Sequence, residues 1–409
     1  MTSSTLDTNN RAIRACVYLL LPGFFLYHSI VGQGWVPTFL GGYSTAMAAL
    51  LLPLLALLYA KHLLASEQHR LPLDAWYAAF VAYYGAVLAI QYANGAHSHA
   101  VPEQFGIVFQ FVTLFMLSRL APLGNPRFQR SLLVLLMLMT GLIVSNADDG
   151  TFIVASLELY GVEENLANYQ AYAFVYSSVM LYVLAPMQKR WQRTLIYAIC
   201  IPTLFLNGAR TEFIGVMLLV LVMEFIEARH KLVTLLVAAA LVGIGIASLP
   251  LLAELYPESR TVFLFLDYSD DISARERAQM LHDGWHTITE NPWLGDFQSH
   301  ARGEHIHNGL SAWVDLGLIG FMAYVALILI PAFDLFALQR RHWRMPSYRL
   351  AFSMIFLSAL FALTAKHYTH QLLPLALGIY GRFLVERRYA DAQEVQRGPA
   401  PQATPRPAS

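Results

Sequence analysis

The sequence predicts an all-α protein that crosses a membrane many times, and three observations support this. Of its 409 residues, 56% are hydrophobic and only 13% are charged, whereas soluble globular domains average about 25% charged residues. The apolar residues gather in runs of about 20, the length at which a helix spans a bilayer. Lys and Arg concentrate in alternate links between these runs, as the orientation rule for membrane helices requires.

We predict twelve membrane-spanning helices from the apolar runs. The first is too long, and too poorly flanked by small residues, to be a cleaved signal peptide. The predicted spans lie near residues 13–32, 36–60, 73–94, 104–121, 131–146, 167–188, 194–207, 212–228, 232–252, 308–338, 349–366 and 371–386.

The distribution of cations orients these spans. If the N-terminus is cytoplasmic, every cytoplasmic link carries at least two Lys or Arg residues, so both termini are predicted to be cytoplasmic. We therefore predict one transmembrane domain over 1–388 and a disordered, Pro/Ala-rich cytoplasmic tail over 389–409. External cations are disfavoured by the same rule, so the six that remain need another explanation: Arg210, Arg260, Arg275, Arg277, Arg302 and Lys366.

Composition also excludes several classes of protein. The 27 Lys and Arg balance 27 Asp and Glu, so no cationic field attracts a nucleic acid. Cys16 and Cys200 lie inside apolar runs and form neither a disulfide framework nor a thiolate metal site. We expect no metal and no cofactor. The acidic cluster at 267–271 remains an alternative metal site, although a solvated loop face accounts for it as well.

One large external loop, about 253–307, is predicted to contain a helix. Ser273 and Glu276 form a capping box at its start, apolar residues follow at three- and four-residue steps, and Asn291-Pro292 ends it. Arg275 lies in the first turn, where an anion would offset its unfavourable position at the positive helix end. An interfacial arginine that reaches water is the alternative reading.

Polar residues mark three further external positions. Arg210 and Glu212 sit in a tight hairpin between two spans, where a simple salt bridge is the alternative explanation. His307 and Asn308 precede the tenth span, and Asp315 lies two turns inside it, either as a functional residue or as a helix-packing group. The last external turn carries Lys366, His367 and His370, for which interfacial anchoring is the alternative.

These residue types fit chemistry on a phosphorylated lipid. Guanidinium groups bind phosphate through two parallel hydrogen bonds and keep their charge. A histidine with a pKa near neutrality can remove a proton from a hydroxyl. Together they fit a sugar hydroxyl that attacks a glycan carried on a lipid pyrophosphate. With no Asp-x-Asp triplet in the chain, arginines rather than a divalent metal are expected to neutralise the phosphates.

Three motifs in order resemble the bacterial O-antigen ligase and O-antigen polymerase superfamily. They are Asn-Gly-Ala-Arg210; Ser273-x-Arg275, followed by Asn291-Pro-Trp-Leu-Gly295; and His307-Asn308, leading to Gly317-Leu-Ile-Gly320. The resemblance covers roughly 195–325 in motif order and the whole chain in topology. Ala209 stands where family members often have serine, and Asp315 where glutamate is common.

The resemblance implies a GT-C-like, metal-independent glycosyltransferase of the bacterial inner membrane, with its active site facing the periplasm. Its donor would be a glycan on undecaprenyl pyrophosphate and its acceptor the lipid A–core of lipopolysaccharide, with inversion at the anomeric carbon. Arg210 and Arg275 would bind the pyrophosphate and His307 would act as base. Residues expected to contact substrate are Asn308, Glu212, Arg277, Asp315, Lys366, His367 and His370.

Two alternatives to a ligase remain at this stage. A polymerase of O-antigen or exopolysaccharide would join lipid-linked repeat units, and we favour the ligase because one large external loop follows the ninth span. A polysaccharide flippase or other transporter would also have twelve spans. It predicts ionisable residues deep within the spans, whereas the charges here sit at the outer rim. Membrane lipids surround the protein under every reading.

Overall fold

The computed structural model describes most of the chain. The described residues are 3–37, 39–40, 42–93, 100–148, 151–152, 154, 167–257, 259, 261–262, 272–297 and 306–397, with side chains at all of them except 3–9, 100–102, 272–275 and 394–397.

The described elements are helices and one pair of two-residue strands. A π-helical turn, Leu19–Gly23, joins α1 to α2, and a short 3-10 helix, Glu67–His69, precedes α4. The helices are α1 (Ser3–Tyr18), α2 (Phe24–Gly32), α3 (Tyr43–Ala65), α4 (Pro72–Ala93), α5 (Ala100–Leu120), α6 (Pro126–Ser145), α7 (Tyr169–Leu184), α8 (Arg190–Asn207), α9 (Arg210–Glu227), α10 (Lys231–Ala247), α11 (Leu249–Leu255), α12 (Ile272–Glu290), α13 (Ser311–His342), α14 (Pro346–Thr364) and α15 (Leu372–Arg397). Strands β1 (Ala147–Asp148) and β2 (Thr151–Phe152) pair antiparallel.

Within the described residues, six helical segments are long and apolar enough to cross a membrane, or seven if α10 and α11, bent by 47°, form one broken span. The predicted fold class, an all-α polytopic membrane protein, is therefore confirmed. Each of the twelve predicted spans contains a described helix. The number twelve itself stays a prediction, because some helices are shorter than the roughly 20 residues that a spanning helix needs. For example, α7 has 16 residues.

The core of the bundle lies where α5, α14 and α15 meet. Gly378 of α15 lies so close to α5 that a Cβ atom there would collide with the Ser118 side chain and the Phe115 carbonyl. The glycine therefore allows these two helices to pack at backbone distance. By contrast, α10 has no buried residue, as expected for an apolar helix whose sides face lipid.

The C-terminal helix differs from the sequence prediction. A disordered tail was expected over 389–409, but α15 continues to Arg397. Contacts outside the apolar run support the extra turns: the Tyr389 hydroxyl lies 3.0 Å from His69 Nε2, and Arg341 pairs with Asp391 at 3.3 Å. Hydropathy could not reveal this extension, because these contacts involve polar side chains distant in sequence.

The predicted helix in the large external loop is confirmed as α12, and the proline that ends it has a second role. The Pro292 carbonyl accepts hydrogen bonds from the Leu318 backbone N–H at 3.0 Å and from Trp313 Nε1 at 2.8 Å. The Asp296 N–H donates to the Val314 carbonyl at 2.7 Å. The segment after α12 is thus fastened to α13.

Two glycines make this contact possible. The helix α13 is broken at Gly317, which has φ 67° and ψ −176°, and Gly295 on the docking segment has φ 68°. A Cβ at Gly317 would collide with the backbone of Trp293 and Leu294. Positive φ and close backbone approach are both conditions that favour glycine.

Candidate active site

The hairpin between α8 and α9 fixes Arg210 rigidly. Gly208 adopts a left-handed conformation, φ 78°, and its N–H donates to the Phe205 carbonyl, which ends α8 in the usual way for a glycine cap. Only Ala209, fully buried, separates this cap from Arg210, the first residue of α9. The half-buried guanidinium is therefore carried on a turn with little freedom.

A buried ion pair lies directly beneath this hairpin. Lys366 Nζ lies 2.7 Å from Glu212 Oε1, and both side chains are nearly inaccessible to solvent. The same ammonium donates to Gln170 Oε1 at 2.8 Å. The turn 366–371, which the sequence predicts to be external, is thereby tied to the first turns of α7 and α9.

Two arginines line one pocket above this ion pair. Arg210 of α9 and the exposed Arg277 of α12 share it with Glu212 and Gln170, together with Tyr169, Gly208 and Thr211. Arg277 lies one and a half helical turns into α12, so α12 reaches the hairpin with its first two turns. The pocket measures only about 20 Å³ and does not enclose a phosphate, but its two guanidinium groups are of the type that binds phosphate oxygens.

Arg275 lies on the same helix, two residues before Arg277. The structure describes its backbone but not its side chain, so its predicted contact with pyrophosphate stays a prediction. Arg260, Arg302 and the acidic cluster at 267–271 lie outside the described residues.

The segment with His307 packs against α12 on one side. Ile306 forms a small apolar cluster with Ile288 and Val314, and a Cβ on Gly284 would collide with the Ile306 side chain. The close approach of α12 therefore fixes the residue that precedes His307, which is itself half-buried.

Asn308 shapes the start of α13. Its side-chain oxygen accepts from the Leu310 N–H at 2.9 Å, and its carbonyl accepts from the Ser311 hydroxyl at 2.7 Å. The Ser311 oxygen in turn accepts from the Tyr368 N–H at 3.0 Å. In this structure Asn308 holds the backbone, and its predicted contact with substrate stays a prediction.

Asp315 and His367 form the second link between α13 and the external turn. Asp315 Oδ2 lies 3.5 Å from His367 Nε2, and His367 Nδ1 lies 2.9 Å from the Thr369 hydroxyl. The aspartate is almost fully buried. Each of the two ring nitrogens of His367 therefore has a neighbouring polar group, Asp315 at Nε2 and Thr369 at Nδ1. This geometry positions His367 firmly.

His370 lies between the rings of Phe174 and Phe361, at 5.5 and 5.7 Å from their centroids. Desolvation by burial, and to a smaller extent the charge of Lys366, lower the pKa of His370 well below its usual value. The ring is therefore neutral at physiological pH. It can donate or accept a hydrogen bond but supplies no positive charge.

The external turn 366–371 is thus the common neighbour of both halves of the site. Lys366 joins it to the Arg210 hairpin, while His367 and Tyr368 join it to the start of α13, next to His307. Six polar residues of the site were not predicted from the sequence: Tyr169, Gln170, Thr211, Ser311, Tyr368 and Thr369. All six are uncharged and showed no departure from the orientation rule.

Among the described residues, no group of three or more His, Cys, Asp or Glu is placed to hold a metal ion. In the part of the chain that can be described, the side chains that bring positive charge to the pocket are Arg210, Arg277 and, beneath them, Lys366.

Comparison with known protein families agrees with the first two of the three motifs. Residues 195–296 match the family described as O-antigen ligase, a stretch that contains the Arg210 hairpin, Arg275, Arg277 and the Asn291–Gly295 segment. A search among curated proteins returned no match. The family match confirms the resemblance to the O-antigen ligase and polymerase superfamily.

Proposed function

From this superfamily relationship we propose that the protein is a glycosyltransferase that moves a glycan from undecaprenyl pyrophosphate to the lipid A–core of lipopolysaccharide. The supporting observation is that two arginines from separate elements, Arg210 and Arg277, line one pocket. Bidentate guanidinium contacts are the usual means by which proteins bind phosphate without metal. The O-antigen ligase match over 195–296 gives this pocket its context.

In the proposed reaction, an acceptor sugar hydroxyl attacks the anomeric carbon of the donor glycan. The new carbon–oxygen bond forms as the bond from that carbon to the pyrophosphate oxygen breaks, with inversion. His307 takes the hydroxyl proton, and the undecaprenyl pyrophosphate leaves with the bonding electron pair. Arg210, Arg277 and Arg275 stabilise the charge that develops on the leaving group.

Lys366 has an indirect part in this proposal. Glu212 lies on the same pocket as the arginines, and an uncompensated carboxylate there would repel a pyrophosphate. The Lys366 ammonium, 2.7 Å away, neutralises it. The pair therefore fixes the hairpin and offsets the repulsion between Glu212 and the donor pyrophosphate.

The proposal is tested with purified protein and a glycan on undecaprenyl pyrophosphate. Lipid A–core and a second lipid-linked repeat unit are offered as acceptors, in buffer with EDTA. We expect transfer to lipid A–core that survives the chelator, because arginines rather than a metal carry the phosphate charge. Transfer to the repeat unit alone would identify a polymerase, and a strict requirement for divalent metal would contradict arginine-based neutralisation.

A further inference from the structure

A lateral groove opens in the bundle at the end of α9 remote from Arg210. It encloses about 840 Å³ between α9, α13 and α14, within the range of roughly 300–1,000 Å³ that binding pockets occupy. Its walls are almost entirely apolar and include Phe225, Phe336 and Phe356. The groove runs along α14 from Phe352 to Ala359, which is about 10 Å of helix.

Polar residues occur at one end of the groove only. Lys231, the first residue of α10, and Arg340, in the last turn of α13, line that end together with Gln339. The first turn of α10 has no side-chain cap, so its backbone N–H groups add partial positive charge. The groove therefore has an apolar body and a cationic end.

Neighbouring acidic groups do not cancel this charge. Among the described residues neither Lys231 nor Arg340 forms a salt bridge, whereas Arg341 pairs with Asp391 at 3.3 Å. The nearby Glu224 and Glu227 are bound by Arg193, at 2.8 and 2.5 Å. Lys231 Nζ contacts the Phe225 carbonyl oxygen at 3.4 Å and lies 4.4 Å from the centroid of the Phe225 ring. The ammonium has three N–H groups, so further donors remain for a ligand.

The cationic end lies at the opposite end of α9 from the candidate active site. Arg210 and Glu227 are the first and last of the 18 residues of α9, and the rise between them is about 25 Å, close to the thickness of the hydrocarbon core. A headgroup bound at Lys231 and Arg340 is therefore a different group from a pyrophosphate bound at Arg210.

We propose that this groove binds an anionic phospholipid, with its phosphate between Lys231 and Arg340 and an acyl chain along α14. Paired cations at the end of an apolar groove between helices complement an anionic headgroup. A polyprenyl chain that entered from the Arg210 end would fill the apolar body but leave both cations unmatched. A zwitterionic lipid would match them less well.

Native mass spectrometry of the full-length protein tests this, with phosphatidylglycerol and phosphatidylcholine of identical acyl chains. We expect phosphatidylglycerol to bind more tightly. The double variant Lys231→Gln/Arg340→Gln should lose about fivefold in phosphatidylglycerol affinity for each cation removed, with little change for phosphatidylcholine. A charge-matched control, Arg127→Gln/Arg130→Gln on the exposed start of α6, should bind like the wild type.

A second variant keeps the test decisive if the double variant does not fold. Ala359→Trp fills the apolar body of the groove and should weaken binding of both lipids while Lys231 and Arg340 stay in place. Equal binding of the two lipids by the wild type would overturn the proposal. So would unchanged phosphatidylglycerol binding by the double variant. One-for-one displacement of phosphatidylglycerol by undecaprenyl phosphate would instead assign the groove to the polyprenyl chain and also overturn it.

Discussion

At the scale of single residues, the pair Lys366–Glu212 is a buried electrostatic link in the candidate site. Both groups have left water, so each depends on the other for the compensation that solvent no longer provides. Removal of one partner strands the other charge, whereas removal of both leaves only an uncharged gap.

This asymmetry gives a stability prediction. Lys366→Met should destabilise the protein by about 3–5 kcal/mol, because Glu212 is left as an unpaired buried carboxylate. Adding Glu212→Gln should recover much of that loss. Thermal unfolding of both variants in lipid nanodiscs checks this, and a double variant that unfolds even earlier than Lys366→Met would contradict the pairing.

His370 gives a prediction about pH. Its folded pKa is lowered below the ordinary value of 6.5, so the unfolded chain takes up a proton there before the folded protein does. Stability is therefore fully present above pH 6.5 and falls as the pH drops below it, by at most about 1.36 kcal/mol per pH unit. Comparison of the melting temperatures of wild type and His370→Asn from pH 7.5 to 5.5 measures this. The variant should lose less stability in acid, and parallel curves would contradict the assignment.

The sequence revealed individual residues of the site better than their partners. Arg210, Arg277 and Lys366 stood out because external cations break the orientation rule. The pairing of Lys366 with Glu212 could not be predicted, because it joins positions 154 apart in the chain through the packing of α9 beside the external turn. Gln170 was missed because a neutral amide at a helix start violates no pattern.

At the scale of elements, the break in α13 links the large loop to the membrane bundle. Leu318 would donate its N–H within a regular helix, but the break at Gly317 turns it to the Pro292 carbonyl instead. The end of α12 is thereby fixed to the helix that follows His307. Arg277 on α12 depends on this attachment for its position at the pocket.

Gly317→Ala should therefore damage both stability and transfer. The new Cβ would collide with the Trp293 backbone and strain the positive φ, for a combined cost above about 2 kcal/mol. Gly243→Ala on the exposed face of α10, where a Cβ has open space, is the matched control and should be neutral or slightly stabilising.

Thermal unfolding and transfer by these two glycine variants are measured side by side. Equal behaviour of Gly317→Ala and Gly243→Ala would show that the attachment of α12 has no role.

Helix positions were largely predictable from apolar runs, and their ends were less so. The sequence predicted α12 within one residue at its start, from the capping box and the proline stop. It predicted the tenth span as one continuous run near 308–338 and gave no sign of the break at Gly317. The break depends on a contact with a segment 24 residues earlier, and hydropathy does not report such contacts.

At the scale of the whole molecule, the candidate site is assembled from elements far apart in sequence. The hairpin before α9, the loop helix α12, the start of α13 and the external turn 366–371 all contribute to one face of the bundle. The orientation rule predicted that these four elements lie on the same side of the bundle. Helix packing, which the rule does not predict, decides which of their side chains meet.

The central claim is that Arg210 binds the departing pyrophosphate, and turnover of Arg210 variants tests it most directly. Purified wild type, Arg210→Lys, Arg210→Ala and the remote control Arg130→Gln are compared for initial rates of glycan transfer from undecaprenyl pyrophosphate. Arg210→Ala should lower the initial rate of glycan transfer by about 100-fold or more. The rate of Arg210→Lys should lie between those of the wild type and Arg210→Ala, since an ammonium keeps the charge but not the bidentate geometry. Arg130→Gln should stay within about twofold of wild type. Wild-type turnover by a stably folded Arg210→Ala would contradict the account.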